Sequence, residues 1–393
     1  MRELTKEQIL NICYGATFLG SGGGGPFTTG DHLIGSLQTT QGPLGLSKIV
    51  TSLIDKSLAD GATVTVNTVD EVDDANGLTV MVAFMGSPDA MLKLDSIEPA
   101  IAAFDKLQEQ LGQTIGYVIP VEVGGLNSIA PILVAAEKGI PVIDADGAGR
   151  AVPSLTMTTF AAAEVSPNPT VLANSPTYGT SAFVKTAAEA EAFARPVLSV
   201  FGEEAGLAMW AMDKDTLDGA VPIRDTLQLA EDLGAILTSS SGQSTEVVIR
   251  TLVTKLTDSG LTAGEIFSGE VQTPETKTQG GFDFSTVTLR ATDDTEVWIY
   301  VQNENLIVWN PQTTESMITA PDSICYLYVD DVSGSILPFS NADIEPMGIV
   351  GKTVYLIGIT ARPALSQSLT IVNSFKKSLA DLGFRVPYSP FSP

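Results

Sequence analysis

Histidine is almost missing from this chain: His32 is the one histidine among 393 residues. A zinc site built from several imidazoles is therefore excluded within one chain, and a triad with a histidine base would have to use His32 itself. His32 follows Asp31 at an expected helix start, where a surface or capping role suits it. Cysteine is nearly as scarce. Cys13 and Cys325 are far apart in sequence, so no disulfide framework stabilises the fold and the reducing cytosol is the expected compartment. Basic residues are outnumbered, 21 against 46 acidic ones, for a formal charge of -25. Such a surface repels phosphate backbones and anionic lipid, so neither nucleic acid nor membrane is an expected partner. The start, Met1 to Gln8, carries acids where a signal peptide needs an apolar core. The uncharged stretch Val165 to Val184 is interrupted by Pro167, Pro169 and Pro176, which rules out a membrane span.

What the chain does hold is core-forming material: 44% of it is hydrophobic, and mean hydropathy is positive. That is enough for two packed domains. Thr5 opens a helix with Gln8 three residues on, the capping-box spacing, and Ile9, Ile12, Cys13 and Ala16 form its apolar stripe. Cys13 therefore reads as a packed residue, as does Cys325 in the apolar run Ile324 to Val329. Nearly continuous apolar runs at Leu78–Met85, Ile115–Val121 and Ile140–Ile143 predict strands covered on both faces. Helices are expected at Glu98–Leu111 and from Asn127 or Ser128 to Lys138, with Gly139 at the left-handed C-cap. This alternation predicts an α/β domain with a mainly parallel, layered sheet.

A stretch rich in Pro, Asn, Ser and Thr from Val165 to Thr180 suggests a boundary, giving domains 1–168 and 169–393. Beyond it, helices are expected at Lys185–Val200, Ile223–Leu237, Thr245–Leu256 and Gln367–Leu382, and a strand at Gly206–Met212. Short strands separated by turns fill about 262–360, a β-rich core of sandwich or barrel-like type.

Two acid-bearing loops follow successive buried strands: Glu122 to Ser128, and Asp144 to Arg150. In open α/β sheets ligands bind beyond the carboxyl ends of the strands. Glu122, Asp144 and Asp146 can serve there as a base for water or hold a divalent metal through carboxylate oxygens. Alternatively Asp144 and Asp146 cap a turn and pair with Arg150. The run Gly20 to Gly25 offers successive amides to an anion, or is a flexible turn; it follows a helix and lacks a Walker lysine, so no nucleotide is expected. Gln302-Asn303-Glu304-Asn305 is either a hairpin turn or a ligand-facing one. Arg150 and Arg362 can grip a substrate carboxylate or neutralise nearby acids.

The segments Glu122-Val123-Gly124-Gly125-x-Asn127, Asp144-Ala145-Asp146-Gly147-x-Gly149-Arg150-Ala151-x-Pro153 and Met157-Thr158-Thr159 resemble the S-methyl-thiohydantoin desulfurase domain family, which is associated with hydantoinase- and oxoprolinase-type proteins. Gly20 to Gly25, Gly86-Ser87-Pro88, Glu189 to Arg195, Gln302 to Asn305 and Pro321-Asp322 extend the resemblance over most of the chain. It implies a hydrolase that removes a sulfur substituent from a small cyclic amide with activated water. Glu122 or Asp146 would be the base, and Asp144 would orient it or share a metal. Amides of Gly22, Gly23, Gly24 and Gly25 would face developing charge. Asn127, Arg150, Asn303 and Glu304 would contact the substrate. The rival reading is a non-catalytic subunit or ligand-binding partner of a hydantoinase-like enzyme, with self-association a further expectation.

Overall fold

The computed structural model describes residues 1–28, 63–331 and 333–393. His32 and the short helix expected after Asp31 lie outside these residues. The capping box at Thr5 is formed, and it starts helix α1, Lys6–Leu19. Among the described residues, seven more helices of about two turns or longer follow: α2 Glu98–Leu111, α3 Ile129–Lys138, α4 Ala187–Val200, α5 Lys214–Ala220, α6 Thr226–Thr238, α7 Thr245–Asp258 and α8 Leu369–Asp381.

The first sheet has eight strands: β1 Arg2–Leu4, β2 Val64–Asn67, β3 Leu78–Gly86, β4 Ile115–Pro120, β5 Val142–Ile143, β6 Thr170–Ser175, β7 Tyr178–Ala182 and β8 Glu204–Met212. Their order is β1-β2-β5-β4-β3-β8-β6-β7. The sheet is mixed. Its centre, β2-β5-β4-β3, is parallel, and antiparallel strands extend it on both sides. Strand β3 shows why its sequence lacks polar alternation. Val80, Val82 and Phe84 enter one core, and Met81, Ala83 and Met85 enter another on the opposite face. Helices α1, α2 and α3 share the first core, which α6 and α7 extend by packing on α1 and on the second sheet, and α4 and α5 cover the second face.

The segment read as a boundary contributes strand β6 and part of β7 to this sheet. Val171, Leu172 and Ala173 of β6 are buried and pair with Gly206, Leu207 and Ala208 of β8. The first sheet thus runs to Met212, well past residue 168. Its prolines precede β6 or sit in the β6–β7 turn, where no ladder donor is required.

The C-terminal sheet is entirely antiparallel. Its strands are β9 Ala263–Val271, β10 Glu275–Gln279, β11 Phe282–Arg290, β12 Glu296–Gln302, β13 Glu304–Asn310, β14 Glu315–Thr319, β15 Ser323–Val329, β16 Ile336–Pro338 and β17 Thr353–Ile359. They are ordered β14-β13-β12-β11-β9-β17-β15-β16, with β10 on β11. Residues from both ends of this sheet, such as Val308 and Ile318 with Tyr326 and Val354, share one interior. The alternate residues Cys325 and Leu327 of β15 instead join the core around α1. Helix α1 is thereby held between the two sheets. Its crossing with α6 is very close: a Cβ at Gly15 would fall 1.8 Å from the Ala230 carbonyl oxygen. The glycine loop that follows α1 is fixed at the junction of the two halves.

Candidate functional site

Glu122 and Glu304 meet at that junction. Glu122 follows β4, and Glu304 starts β13 after Asn303, which adopts a left-handed φ of 58°. Both carboxyls line a cavity of about 60 Å³, together with Gly24, Gly25, Met85, Asn127, Ser154, Thr158, Arg195 and Asn303. The cavity therefore opens beyond the carboxyl ends of β3 and β4, where the sheet geometry places ligand sites.

Glu122 is 5% exposed and firmly held. Its Oε1 accepts from Asn127 Nδ2 at 2.8 Å, and its Oε2 accepts from the Val152 amide at 2.8 Å. Asn127 is oriented in turn by the Phe84 amide, which donates to its Oδ1 at 2.9 Å. Of the two residues expected to cap α3, Ser128 takes the cap position, its hydroxyl accepting from the Gly124 amide at 3.2 Å instead of from the helix, and Asn127 ties β3 to Glu122. Burial raises the Glu122 pKa to about 7, against the lowering effect of these two donors. Glu304 is 4% exposed. Its Oε1 accepts only a long 3.4 Å bond from the Gly24 amide, and its Oε2 has no partner. Burial and then the charge of Glu122 push its pKa well above the usual carboxylate range. Two carboxyls in one desolvated site cannot both ionise readily, so the pair holds about one proton near neutrality.

The glycine loop makes this approach possible. A Cβ at Gly23 would fall 2.2 Å from Glu304 Oε1, and one at Gly24 (φ +73°) would fall 2.4 Å from Gly124 Cα. Gly24 also accepts through its carbonyl from the Leu126 and Asn127 amides. The loop is thus packed against both glutamate-bearing segments; Gly24 and Gly25 face the cavity, whereas Gly22 lies against Asn305 and Asn341.

The other two acids point elsewhere. Asp144 Oδ1 accepts from the Leu227 and Gln228 amides at 2.7 and 3.3 Å, capping α6, and its Oδ2 lies 3.7 Å from Arg2. It lines a separate recess with Met1, Arg2 and Asp225. Asp146 is fully buried, and its Oδ1 accepts from the Ala148 and Gly149 amides, both at 2.6 Å. Burial raises its pKa to about 6. Its Oδ2 has no partner, but it does not face the cavity. Among the described residues no group of three His, Cys, Asp or Glu side chains converges to hold a metal ion. The metal set Glu122, Asp144 and Asp146 is therefore not assembled, because Asp144 is spent on a helix terminus. An Asp144→Asn variant should keep kcat/KM within about threefold, since asparagine caps comparably; steady-state kinetics beside Glu122→Gln checks this.

Arg150 does not reach the cavity. It is 1% exposed, and its guanidinium donates to the carbonyls of Ala151 (2.8 Å), Pro321 (3.1 Å), Asp322 (2.6 Å) and Asn305 (3.0 Å), beside the Phe375 ring at 5.3 Å. Arg362 donates a 3.4 Å bond to Ser259 and neutralises buried Asp146. Arg150 is not free to grip a carboxylate, and Arg362 lines a different recess from the glutamate cavity. Asn303 does line the cavity, with its Oδ1 accepting from the Asp283 amide at 2.8 Å.

Two charged cavity residues were not among the expected site residues, although the run Glu189 to Arg195 carries part of the family resemblance. Arg195 and Glu191, one helical turn apart on α4, bond at 2.6 Å. Arg195 also donates to the Gly281 and Pro153 carbonyls at 2.7 and 2.9 Å and stacks over Phe282 at 3.7 Å, linking α4 to the second sheet. Beyond that resemblance their i,i+4 spacing was the available signal, and it resembles any surface pair.

Because folding raises the Glu304 pKa, stability from this group is full below the unfolded value of 4.5 and falls as pH rises toward the folded value. Glu304→Gln removes that cost. Thermal denaturation should show little gain near pH 4.5 and a rise in Tm of about 3 °C or more at pH 8.

A two-domain protein with paired buried glutamates in a junction cavity is the class these features define. The model of the S-Me-THD-like N-terminal domain matches residues 41–184, and that of the S-Me-THD-like C-terminal domain matches residues 185–374. The chain belongs to this family. A crystal structure of a protein from Chromobacterium violaceum is 31% identical, over 100% of each chain, with a TM-score of 0.83. No protein of curated function matches the chain. Among the described residues, no helix is long and apolar enough to cross a membrane.

Proposed function

We propose that the protein is a hydrolase that removes a sulfur substituent from a small thiohydantoin-like cyclic amide. Family membership supports the thiohydantoin connection. The observation that carries the chemistry is the pair of buried glutamates, one with an unpartnered oxygen, in a small cavity at the strand ends.

Glu122 has the properties of a general base: it is fixed by two donors and its pKa is about 7, near the working pH. Glu304, kept protonated beside it, has those of the acid. Water gives a proton to Glu122 as its oxygen bonds to the ring carbon bearing sulfur, and the carbon–nitrogen π pair of the S-substituted ring moves onto nitrogen. That pair then re-forms the double bond as the carbon–sulfur bond breaks, and the departing sulfur takes the Glu304 proton and leaves as a thiol. The remaining hydroxyl proton moves to the ring nitrogen, and the ring carbon becomes an amide carbonyl. A proton passed from Glu122 to Glu304 restores the pair. Gly24 and Gly25 line the same cavity and bring backbone amides near the reacting carbon.

The direct test incubates the full chain with S-methyl-thiohydantoin and follows methanethiol release by thiol-reactive dye. Release that Glu122→Gln abolishes supports the reading. Absence of release, with tight ring binding and a co-purifying enzyme, would instead establish a binding subunit.

A further inference from the structure

Among the described residues, every sheet edge but one carries a device against pairing with another chain. Strand β1 bears Arg2 and Glu3, β10 bears Glu275 and Lys277, β14 starts at Glu315, and β16 is short and ends on Pro338. Charge, proline and shortness are the usual means of blunting a free edge. Strand β7, Tyr178–Ala182, has no charge and no proline. It is the outer strand of the first sheet, paired with β6 alone. It also lies within Val165 to Val184, a stretch without a charged side chain in a protein of net charge -25.

Both ends of β7 place apolar side chains in solvent. Phe183, just past the strand, is 80% exposed. Tyr178, at its start, is 47% exposed, and its ring lies 4.7 Å from that of Phe201, next in the chain to exposed Val200. Beyond these the two ends differ in sign. Lys185 stands exposed past Phe183, and half-buried Glu203 follows Phe201 at the Tyr178 end. Neither side chain forms an ion pair among the described residues. Antiparallel pairing of two β7 strands about Thr180, the middle residue, engages the whole of each strand. It sets Phe183 of each copy beside the Tyr178 end of the other and turns each Lys185 toward the other's Glu203. Parallel pairing would instead set lysine against lysine. The edge is thus complementary to an antiparallel copy of itself, which is what a two-fold contact requires.

We propose that two copies of the chain associate through β7, back to back across a two-fold axis at Thr180, so that one sheet runs through both. The overall charge makes two copies repel each other. The uncharged edge, with an unpaired cation at one end and an unpaired anion at the other, is where that repulsion gives way to attraction.

Light scattering behind size exclusion tests this on the full chain, whose mass should rise with concentration toward that of a dimer. Thr180→Lys sets like charges opposite each other across the axis and should weaken the dimer about fivefold or more. Lys185→Glu and Glu203→Lys should each weaken it by about fivefold, and the two together should return it to within about twofold of wild type. That rescue separates pairing across the axis from damage to the fold. Because Cys13 and Cys325 are both buried, Thr180→Cys should cross-link two chains on mild oxidation, and wild type should not. A single-chain mass at every concentration, a dimer indifferent to these variants, a charge swap without rescue, or an edge occupied only by a foreign protein would overturn the proposal.

Discussion

Glu122→Gln is expected to lower kcat/KM at least 100-fold, within the ~10²–10⁴ that a positioned general base contributes, while the ring still binds. The carboxamide keeps the shape and one acceptor, so either the Asn127 or the Val152 bond survives, but it cannot take a proton from water. The pH dependence carries the sign of the claim. The base must be ionised, so the wild-type rate should rise as pH passes through about 7, the value to which burial moves Glu122. Above that, ionisation of Glu304 removes the acid and the rate should fall again, giving a bell whose limbs belong to the pair. Kinetics across pH 5 to pH 9, with circular dichroism to confirm the fold of the variant, decides the matter. A variant with full turnover would leave Glu122 a structural acid.

Arg150→Met is expected to be the most damaging substitution for stability. It deletes four donors to buried carbonyls and the countercharge nearest to Glu304 and Glu122, and no water can replace them at 1% exposure. Breaking a buried charge arrangement of this kind costs ~3–5 kcal/mol. Burial already lowers the Arg150 pKa to about 10, opposed first by Glu304. The arginine is therefore part of what lets two glutamates exist in the interior. Urea unfolding should show an early transition, with any activity loss following unfolding. Retained stability with selective loss of substrate affinity would return Arg150 to a ligand-binding role.

The layered first sheet was legible because strands buried on both faces must be continuously apolar, as Leu78–Gly86 is, and Glu98–Leu111 carries a helical stripe. The β6–β7 hairpin was hidden by its prolines and asparagines, and its strand character arises from pairing with β8, not from local propensity. Glu122 was legible from its place after a buried strand. Glu304 was read as ligand-facing, but its pairing with Glu122 was not legible: it reaches Glu122 only because the second sheet folds back onto the glycine loop, a tertiary contact that spacing does not encode. Asp144 shows the converse. Its spacing from Asp146 suggested a shared site, yet α6 begins at Asp225 in a left-handed conformation without a side-chain cap of its own, and Asp144 supplies the missing acceptor.

The proton shared by Glu122 and Glu304 can be observed directly. Carbon-13 NMR titration of the glutamate side chains, with Glu122 assigned by its loss in Glu122→Gln, should show that carboxyl titrating near pH 7, and Glu304, which feels the Glu122 charge, titrating at higher pH in the wild type than in Glu122→Gln. A Glu122 carboxyl that titrates near the ordinary 4.5 would contradict the account.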